Sequence, residues 1–276
     1  MKSINCNGTL IDLSSPKIMG ILNITPDSFF DGGKYNSDAS IINHVRKMLS
    51  EGATFIDVGA YSSRPGAVHI SEEEELKRIS PVIKLLIHEF PKLLISVDTF
   101  RSKIANYCIN KGACIVNDIS AGNLDSNMFS TIAKLQVPYI MMHMQGKPQN
   151  MQTKPTYDDV VQEVLYFFSK KINELHTLGV NDIITDVGFG FGKTIDQNYQ
   201  LLKHLDLFMN LGVPTLTGLS RKSMLFKPLK ISQNEALNAT TSANTIALLN
   251  GANIVRVHDV KNAFEAIKIV ELLNKN

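Results

Sequence analysis

Short apolar runs recur along the chain, and each is followed by a polar or glycine-rich stretch and then by a helical pattern. The runs are rich in Ile, Val and Leu and alternate little, which is typical of parallel strands buried on both faces. They cover residues 18–22, 54–58, 93–97, 114–116, 137–142, 183–187, 214–217 and 253–257. The pattern therefore predicts eight parallel strands.

The stretches between these runs carry signals for the beginning and end of helices. Ser71 and Glu74 form a possible capping box, and so do Ser232 and Glu235, because each pair has the spacing of an N-terminal cap. Pro81 lies inside the second helical stretch and should kink or divide it, since proline has no backbone N–H to donate.

Eight strand–helix units in a chain of 276 residues predict an α/β fold of the TIM (β/α)₈ barrel type. A doubly wound open sheet is the alternative, because it is built from the same units. Residues 1–16 precede the first unit, and we expect them to form a short N-terminal hairpin that closes the barrel floor. No internal boundary stands out, so we expect residues 1–276 to form a single domain.

Composition and charge narrow the possible partners and location. The formal net charge of +2 is too small to predict binding to nucleic acid or to a membrane surface. No run approaches the roughly 18–20 apolar residues of a membrane span, and no signal peptide is apparent. The three cysteines fit no metal-ligand spacing, and their odd number argues against a disulfide framework. We therefore expect a cytoplasmic protein.

Polar residues stand where the predicted strands end. In a TIM barrel the carboxyl ends of the strands carry the chemistry. The residues at these ends are Asn23, Asp57, Asp98, Asn117, His143, Asp186, Lys222, and Arg256 with His258. A single Asp or Asn in this position is explained equally well as a cap of the following helix. Polar residues at all eight ends indicate one shared site.

These residues divide into two chemical groups. Acceptors and amides suited to a flat heterocycle rich in N–H groups come from Asp57, Asp98, Asn117 and Asp186. The carboxylate of Asp186 has the geometry to accept two parallel N–H groups from a 2-aminopyrimidinone edge. Donors suited to phosphate come from Asn23, Arg64, Arg256 and His258. The sequence thus predicts two sub-pockets, one suited to a flat heterocycle and the other to phosphate.

The segments around these residues also form a recognisable series. They are GILNITPDSF (20–29) with DGG (31–33), SSRPG (62–66), SVDT (96–99), VNDIS (116–120), HMQG (143–146), DVGFGFGKT (186–194), GLSRKS (218–223) and RVHD (256–259). In this order they resemble the dihydropteroate synthase family over nearly the whole chain from Ile18 onward. One departure is Tyr61, which stands where the family commonly has Glu, whereas the hydroxyl before Arg64 is retained as Ser63.

The resemblance implies a transferase of folate biosynthesis. Such an enzyme condenses (7,8-dihydropterin-6-yl)methyl diphosphate with 4-aminobenzoate and releases 7,8-dihydropteroate and diphosphate. The resemblance further implies Mg²⁺-assisted, SN1-like loss of diphosphate, small-molecule substrates alone, and a homodimer formed through outer helices late in the chain.

The resemblance also assigns roles to residues. The pterin would be held by Asp57, Asp98, Asn117, Asp186 and Lys222. The diphosphate would be held by Asn23, Arg64, Arg256 and His258, with Asn23 also a ligand of Mg²⁺. The 4-aminobenzoate would be held by Ser63, Pro65, Ser220 and Lys222. The residues expected to act in catalysis are Asp98, Lys222, Arg256 and His258.

Several alternatives remain open from the sequence alone. Lys222 follows the seventh strand and could form a Schiff base, as the lysines of aldolases do. His143 either touches the site or only braces its loop. A pterin-binding methyltransferase of the same superfamily would share the pterin acceptors but needs no diphosphate clamp, for which Arg256 and His258 argue. A catalytically inactive barrel that serves as a scaffold or regulator is the remaining possibility.

Overall fold

The computed structural model describes residues 3–24, 37–63, 68–146, 148, 150–153 and 155–275. The strands are β1 (Ser3–Cys6), β2 (Thr9–Asp12), β3 (Lys17–Asn23), β4 (Phe55–Gly59), β5 (Leu94–Asp98), β6 (Ile115–Asp118), β7 (Tyr139–Met142), β8 (Ile183–Asp186), β9 (Thr215–Thr217) and β10 (Ile254–Val257). The α-helices are α1 (Asp38–Ser50), α2 (Glu72–Glu89), α3 (Ser102–Asn110), α4 (Met128–Leu135), α5 (Val160–Thr177), α6 (Ile195–Lys203), α7 (Ser223–Leu229), α8 (Leu237–Leu249) and α9 (Val260–Lys275). A 3₁₀ helix covers Leu205–Leu211.

Strands β3 to β10 form a closed barrel in which every neighbouring pair is parallel. The last strand, β10, pairs with the first, β3, so the sheet has no open edge. This closure confirms the predicted TIM barrel and excludes the doubly wound open sheet. All eight predicted strands are present, with ends that differ from the prediction by no more than about two residues.

Alternation along the strands divides the barrel interior into an apolar floor and a polar mouth. Side chains two positions apart face the same side of a strand, so an apolar residue low in the barrel is followed by a functional position at the mouth. The pairs are Ile115 and Asn117, Ile184 and Asp186, Leu216 and Gly218, and Ile254 and Arg256. The fold therefore directs polar side chains from several strands into one space.

The N-terminal hairpin covers the floor of the barrel. Strands β1 and β2 pair in antiparallel register, and Ile4, Cys6 and Leu13 pack into the apolar cluster that fills the barrel interior. The side chain of Asn253 donates to the carbonyl of Leu13 at 2.9 Å, which ties the hairpin to the start of β10. The floor is thus sealed by apolar contact, and the opposite end remains for binding.

The outer helices follow the sequence signals in part. Ser71 caps α2, since its hydroxyl accepts from the N–H of Glu74 at 3.2 Å. Pro81 was expected to kink or divide this helix. Division is wrong, because α2 continues through the proline, which lies on its exposed side. The capping box at Ser232 and Glu235 is also wrong. These two side chains bond to each other in a turn, and α8 begins only at Leu237.

None of the helices within the described residues has the length and apolar character that a membrane crossing needs.

Candidate active site

A cavity of about 630 Å³ opens at the carboxyl end of the barrel. The predicted site residues that line it are Asn23, Ser63, Asp98, Asn117, Asp186, Ser220, Lys222, Arg256 and His258. Asp57 lies beneath them and is fully buried. Arg64 and Pro65 lie outside the described residues, as does the segment Thr25-Pro26-Asp27-Ser28. The structure therefore brings together residues from strand ends that are more than 200 positions apart in the sequence.

Arg256 links two carboxylates at the centre of the cavity. Its Nε donates to Oδ2 of Asp57 at 2.6 Å, and its Nη2 donates to Oδ2 of Asp98 at 2.8 Å. The side-chain amide of Asn117 donates to the same oxygen of Asp57 at 3.0 Å. These bonds hold the guanidinium and both carboxylates in fixed orientations, because hydrogen bonds between charged groups are stronger than those between neutral groups.

Burial changes the proton affinity of Asp98. Loss of solvation raises the pKa of this carboxyl to about 7, and the neighbouring charge of Asp57 acts in the same direction. The cation of Arg256 opposes the rise. A carboxyl whose pKa lies near neutrality can exchange a proton with a ligand at little cost, which suits a group that faces a heterocycle with several N–H positions.

Asp186 and Lys222 form the second charged pair of the cavity. Oδ1 of Asp186 accepts from the N–H of Gly188 at 2.8 Å, and the ammonium of Lys222 donates to the carbonyl of Phe189. Burial raises the pKa of Asp186 and lowers that of Lys222 to about 8, and the attraction between the two opposes both shifts. Gly218 lies between them, since a methyl group there would sit 3.8 Å from Lys222 Nζ and 3.9 Å from Asp186 Oδ2. Room is thus left for a flat ligand edge.

The ends of β9 and β10 are joined beside this pair. The hydroxyl of Ser220 and Nδ1 of His258 lie 2.9 Å apart, and the backbone N–H of His258 donates to the same hydroxyl at 3.3 Å. Behind them Arg221 forms two parallel bonds to Asp259, of 2.9 and 3.0 Å. The bidentate pair fixes the backbone on either side of Ser220 and His258, so both side chains are presented to the cavity by rigid segments.

Tyr61, the residue that departs from the family pattern, lines the cavity and packs against the loop that follows β5. Its ring meets that of Phe100 edge to face at 5.0 Å, and its hydroxyl lies 3.1 Å from Nδ1 of His69. The guanidinium of Arg101 lies 5.5 Å from the centre of the Tyr61 ring and pairs with the buried carboxylate of Glu75. An aromatic side chain thus occupies this position as part of an apolar rim.

His143 lies behind the cavity lining. Its ring is buried and packs edge to face on Phe167 at 4.9 Å, and burial lowers the pKa of the imidazole well below its ordinary value. Its carbonyl oxygen accepts from Lys193 Nζ at 3.2 Å. Of the two roles left open by the sequence, these contacts favour the bracing of the loop.

Several residues that line the cavity had no role assigned to them from the sequence. They are Tyr61, Ser62, Ile119, Met142, Met151, Gln152, Phe189, Gly190, Phe191, Gly218, Arg221, Ser223, Phe226, Lys227 and Gln233. Most are apolar or uncharged, and such residues look like core or loop positions in a sequence. The alternation of Gly and Phe from Gly188 to Gly192 was a usable signal, because three of these glycines have positive φ and so force the loop to turn repeatedly.

Comparison with known proteins agrees with this geometry. The family described as pterin binding enzyme matches residues 19–258. The dihydropteroate synthase of Escherichia coli strain K12 is 43% identical over 266 residues, which cover 96% of this chain and 94% of the relative.

Solved structures extend the similarity to three dimensions. The dihydropteroate synthase of Yersinia pestis with a sulfonamide drug has a TM-score of 0.95 at 41% identity and covers 99% of this chain and 100% of its own. The dihydropteroate synthase of Xanthomonas albilineans in complex with 7,8-dihydropteroate has a TM-score of 0.87 at 34% identity, with coverage of 99% and 98%.

Proposed function

Because the chain belongs to the dihydropteroate synthase family of pterin-binding transferases, we propose that it condenses (7,8-dihydropterin-6-yl)methyl diphosphate with 4-aminobenzoate. The products are 7,8-dihydropteroate and diphosphate. The observation that carries the proposal is the joining of Asp57 and Asp98 to Arg256 inside one cavity that also holds Asp186 and Lys222. One space thus offers acceptors for a heterocycle beside donors for an anion.

The pterin is bound by the acidic side of the cavity. Asp186 has one oxygen fixed by the N–H of Gly188, and its other oxygen faces Gly218, where no side chain intervenes. A 2-aminopyrimidinone edge matches this carboxylate through paired N–H groups. Asn117 and Asp98 line the same space, and Lys222 supplies a donor for the ring carbonyl.

The diphosphate is bound by the cationic side. Arg256 uses Nε and Nη2 for the two aspartates, and among the described residues no hydrogen bond engages its Nη1. Its remaining donors are therefore held in a fixed direction, which suits recognition of phosphate oxygens. His258, oriented by Ser220, adds a donor when it is protonated.

Mg²⁺ fits this arrangement through Asn23. Oδ1 of Asn23 lies close to Gly59, 3.6 Å from the position of a methyl group there, and Oδ2 of Asp98 lies 3.5 Å from the same position. Within the described ranges no cluster of three or more His, Cys, Asp or Glu side chains could hold a metal. Mg²⁺ accepts one protein oxygen when phosphates and water complete its shell. When bound, it would neutralise charge on the leaving diphosphate.

The reaction proposed is a dissociative substitution at the methylene carbon. The carbon–oxygen bond breaks and its electron pair leaves with diphosphate, which Arg256 and His258 stabilise as its charge grows. The positive charge left on the methylene and the dihydropterin ring is balanced by the carboxylate of Asp98, which lies beside the pterin space. The amino nitrogen of 4-aminobenzoate then forms the carbon–nitrogen bond and loses a proton. Ser63, Pro65, Ser220 and Lys222 are the proposed contacts of the aminobenzoate.

The decisive experiment supplies pterin diphosphate, 4-aminobenzoate and Mg²⁺ and identifies the product by mass. The expected result is 7,8-dihydropteroate with one equivalent of diphosphate. Asp186→Asn should reduce kcat/KM at least about 100-fold, since a buried carboxylate that accepts two N–H groups is replaced by an amide that cannot. The matched control is Asp206→Asn, which changes an exposed carboxylate and should leave the rate unchanged.

The same assay separates the alternatives. Pterin binding without diphosphate release would favour a scaffold or regulator, and methyl transfer from methyltetrahydrofolate would favour the methyltransferase. Reduction by borohydride with a carbonyl substrate would trap Lys222 if it formed a Schiff base. Positional isotope exchange in labelled pterin diphosphate, measured without productive amine attack, tests the stepwise route; retention of the label in its original position would exclude it.

The proposed enzyme acts in the cytoplasm as a homodimer. The outward face of α8 and α9 supports the dimer, because it exposes large apolar side chains where a monomer would normally place polar ones. These side chains are Ile246, Leu249, Phe264, Ile269, Leu272 and Leu273, each between 40% and 64% exposed. Helices α8 and α9 pack against each other, so these residues lie on neighbouring elements.

A further inference from the structure

Lys193 is a buried cation behind the wall of the cavity, and its side chain does not line the cavity. Its side chain lies between the end of β7 and the loop that follows β8, and the residue is only 2% exposed. The ammonium donates to the carbonyls of His143 at 3.2 Å, Gly188 at 3.0 Å and Phe191 at 3.0 Å. An ammonium has three N–H groups, so all of its donors are used on main-chain carbonyls.

The loop held in this way carries two contacts of the proposed pterin site. The N–H of Gly188 fixes Oδ1 of Asp186, and the carbonyl of Phe189 accepts from Lys222. Gly188 and Gly190 both have positive φ, a conformation that glycine adopts freely. Because glycine has no side chain, the same residues can also adopt other backbone conformations at little cost. A glycine-rich turn needs an external constraint if it is to present an N–H and a carbonyl in fixed directions.

We propose that Lys193 is a positioning residue of the pterin subsite, which holds the turn from Gly188 to Phe191 so that Asp186 and Lys222 keep their orientations toward the ligand. The inference rests on the proposed function, because the ligand whose binding it explains is the pterin. Lys193 itself touches neither substrate. It acts through the backbone of residues that do.

The charge of Lys193 has a second effect on the same carboxylate. Asp186 is faced by Lys222 from the loop after β9, by Arg256 from β10 and by Lys193 from its own loop, and each of these cations lowers its pKa against the effect of burial. Conversely, Lys193 is faced by Asp186 and Lys222, and burial lowers its pKa to about 7. Removal of this cation should therefore raise the pKa of Asp186.

The test compares Lys193→Met with Lys203→Met by titration calorimetry with 6-hydroxymethyl-7,8-dihydropterin and by steady-state kinetics. Methionine preserves the length of the stem and removes the donors. Lys203 is exposed at the end of α6 and serves as the matched control. The expected result for Lys193→Met is a rise in pterin Kd of about tenfold or more, since three charge-assisted bonds are lost. The KM for 4-aminobenzoate should rise less than the pterin Kd, because among the described residues Lys222 is the one proposed aminobenzoate contact that bonds to this turn.

A pH series supplies a readout that a general loss of packing would not change. The series is measured in the Asp98→Asn background, because Asp98 itself titrates near pH 7. There the pH at which pterin affinity falls to half should move upward when Lys193→Met is added, because Asp186 then takes up a proton at higher pH. Lys193→Arg should keep that pH near the value measured with Lys193 in place while its affinity falls, because a planar guanidinium keeps the charge but cannot bond three carbonyls arranged around one nitrogen. This variant also serves if Lys193→Met does not fold.

The outcomes separate this inference from the function on which it rests. Pterin affinity of Lys193→Met and Lys193→Arg within about twofold of wild type would overturn the positioning role and leave the synthase proposal intact. Failure of the wild-type protein to bind pterin or to form product would instead overturn the proposed function.

Discussion

Arg256 and Asp57 are joined at the centre of the barrel mouth by a bond of 2.6 Å from Nε to Oδ2. The side chain of Asp57 is fully buried and that of Arg256 is 20% exposed. The sequence predicts these residues in opposite halves of the site, Asp57 beside the heterocycle and Arg256 beside the phosphate. The bond makes the two halves a single network, in which a change on one side alters the other.

The first prediction concerns Arg256→Met. This change leaves Asp57 buried without its cation, so the free energy of unfolding should fall by about 3–5 kcal/mol, and kcat should fall at least about 100-fold because a donor to the leaving group is lost. Denaturant unfolding and diphosphate release measure the two effects. Arg78→Met is the control: its ion pair with Glu74 lies on the partly exposed surface of α2, and its loss should cost at most about 0.5 kcal/mol.

The second prediction concerns pH and Asp98. Because its pKa is about 7, the carboxylate becomes neutral as the pH falls through that value, and pterin binding should weaken with it. The pKa of Asp98 in the native state lies above the ordinary 3.8. Between these two pH values the carboxyl therefore keeps its proton in the native state and has lost it in the unfolded state. This group's contribution to stability therefore decreases as the pH rises from about 4 to about 7.

Asp98→Asn tests both parts of this prediction. The variant should bind pterin more weakly, and between about pH 6 and 8 its affinity should vary less with pH than that of the wild type. Its unfolding free energy should also decline less between about pH 4 and 7. An unchanged pH profile of both quantities would show that another group titrates in this range.

The barrel and the charged part of the site could be predicted from the sequence for one physical reason. Buried parallel strands are continuous apolar runs, and a polar residue such as Asp98 or Asn117 at the end of such a run has to face the barrel mouth. Because strand ends converge there in a closed barrel, position in the sequence implied position in space.

Features that depend on contacts between distant segments could not be predicted. Nothing in the sequence shows that Lys193 donates to the carbonyl of His143, which lies 50 positions earlier. Every residue has a backbone carbonyl, so residue type does not show which carbonyl accepts a given bond. Pro81 was expected to kink or divide its helix, yet α2 is undivided, because its packing on the barrel outweighs the loss of one hydrogen bond at an exposed position. Predictions from local sequence therefore fail where contacts between distant segments determine the structure.

The third prediction concerns the oligomeric state. Ile269→Glu combined with Leu273→Glu places two charges on the exposed apolar face of α9, where both residues are more than 60% exposed. If this face forms the dimer interface, the burial of like charges should convert the dimer to a monomer. Sedimentation measures the mass, and thermal unfolding checks the fold. Tyr166→Glu, on the exposed surface of α5, is the control and should leave the mass unchanged.

The fourth prediction concerns the close approach of the loops after β7 and β8. Gly188 has a φ of +70°, and a methyl group on it would overlap the carbonyl oxygen of His143, which also accepts from Lys193. Gly179 has a φ of +80° with no heavy atom within 4 Å of such a group. Both positions would strain an alanine by about 1–2 kcal/mol through the backbone conformation alone, and only Gly188→Ala adds an overlap with backbone, which no side-chain rotation can relieve.

Gly188→Ala should therefore lower the free energy of unfolding by at least about 1–3 kcal/mol more than Gly179→Ala. Of the two variants, it alone should also weaken pterin binding, because the N–H of residue 188 is the group that fixes Asp186. Denaturant unfolding and calorimetry with a dihydropterin measure the two effects. Equal destabilisation by the two substitutions, with unchanged pterin affinity, would mean that the loop can withdraw from His143 without disturbing the site. In that case the contacts of Lys193 would not be what fixes Asp186.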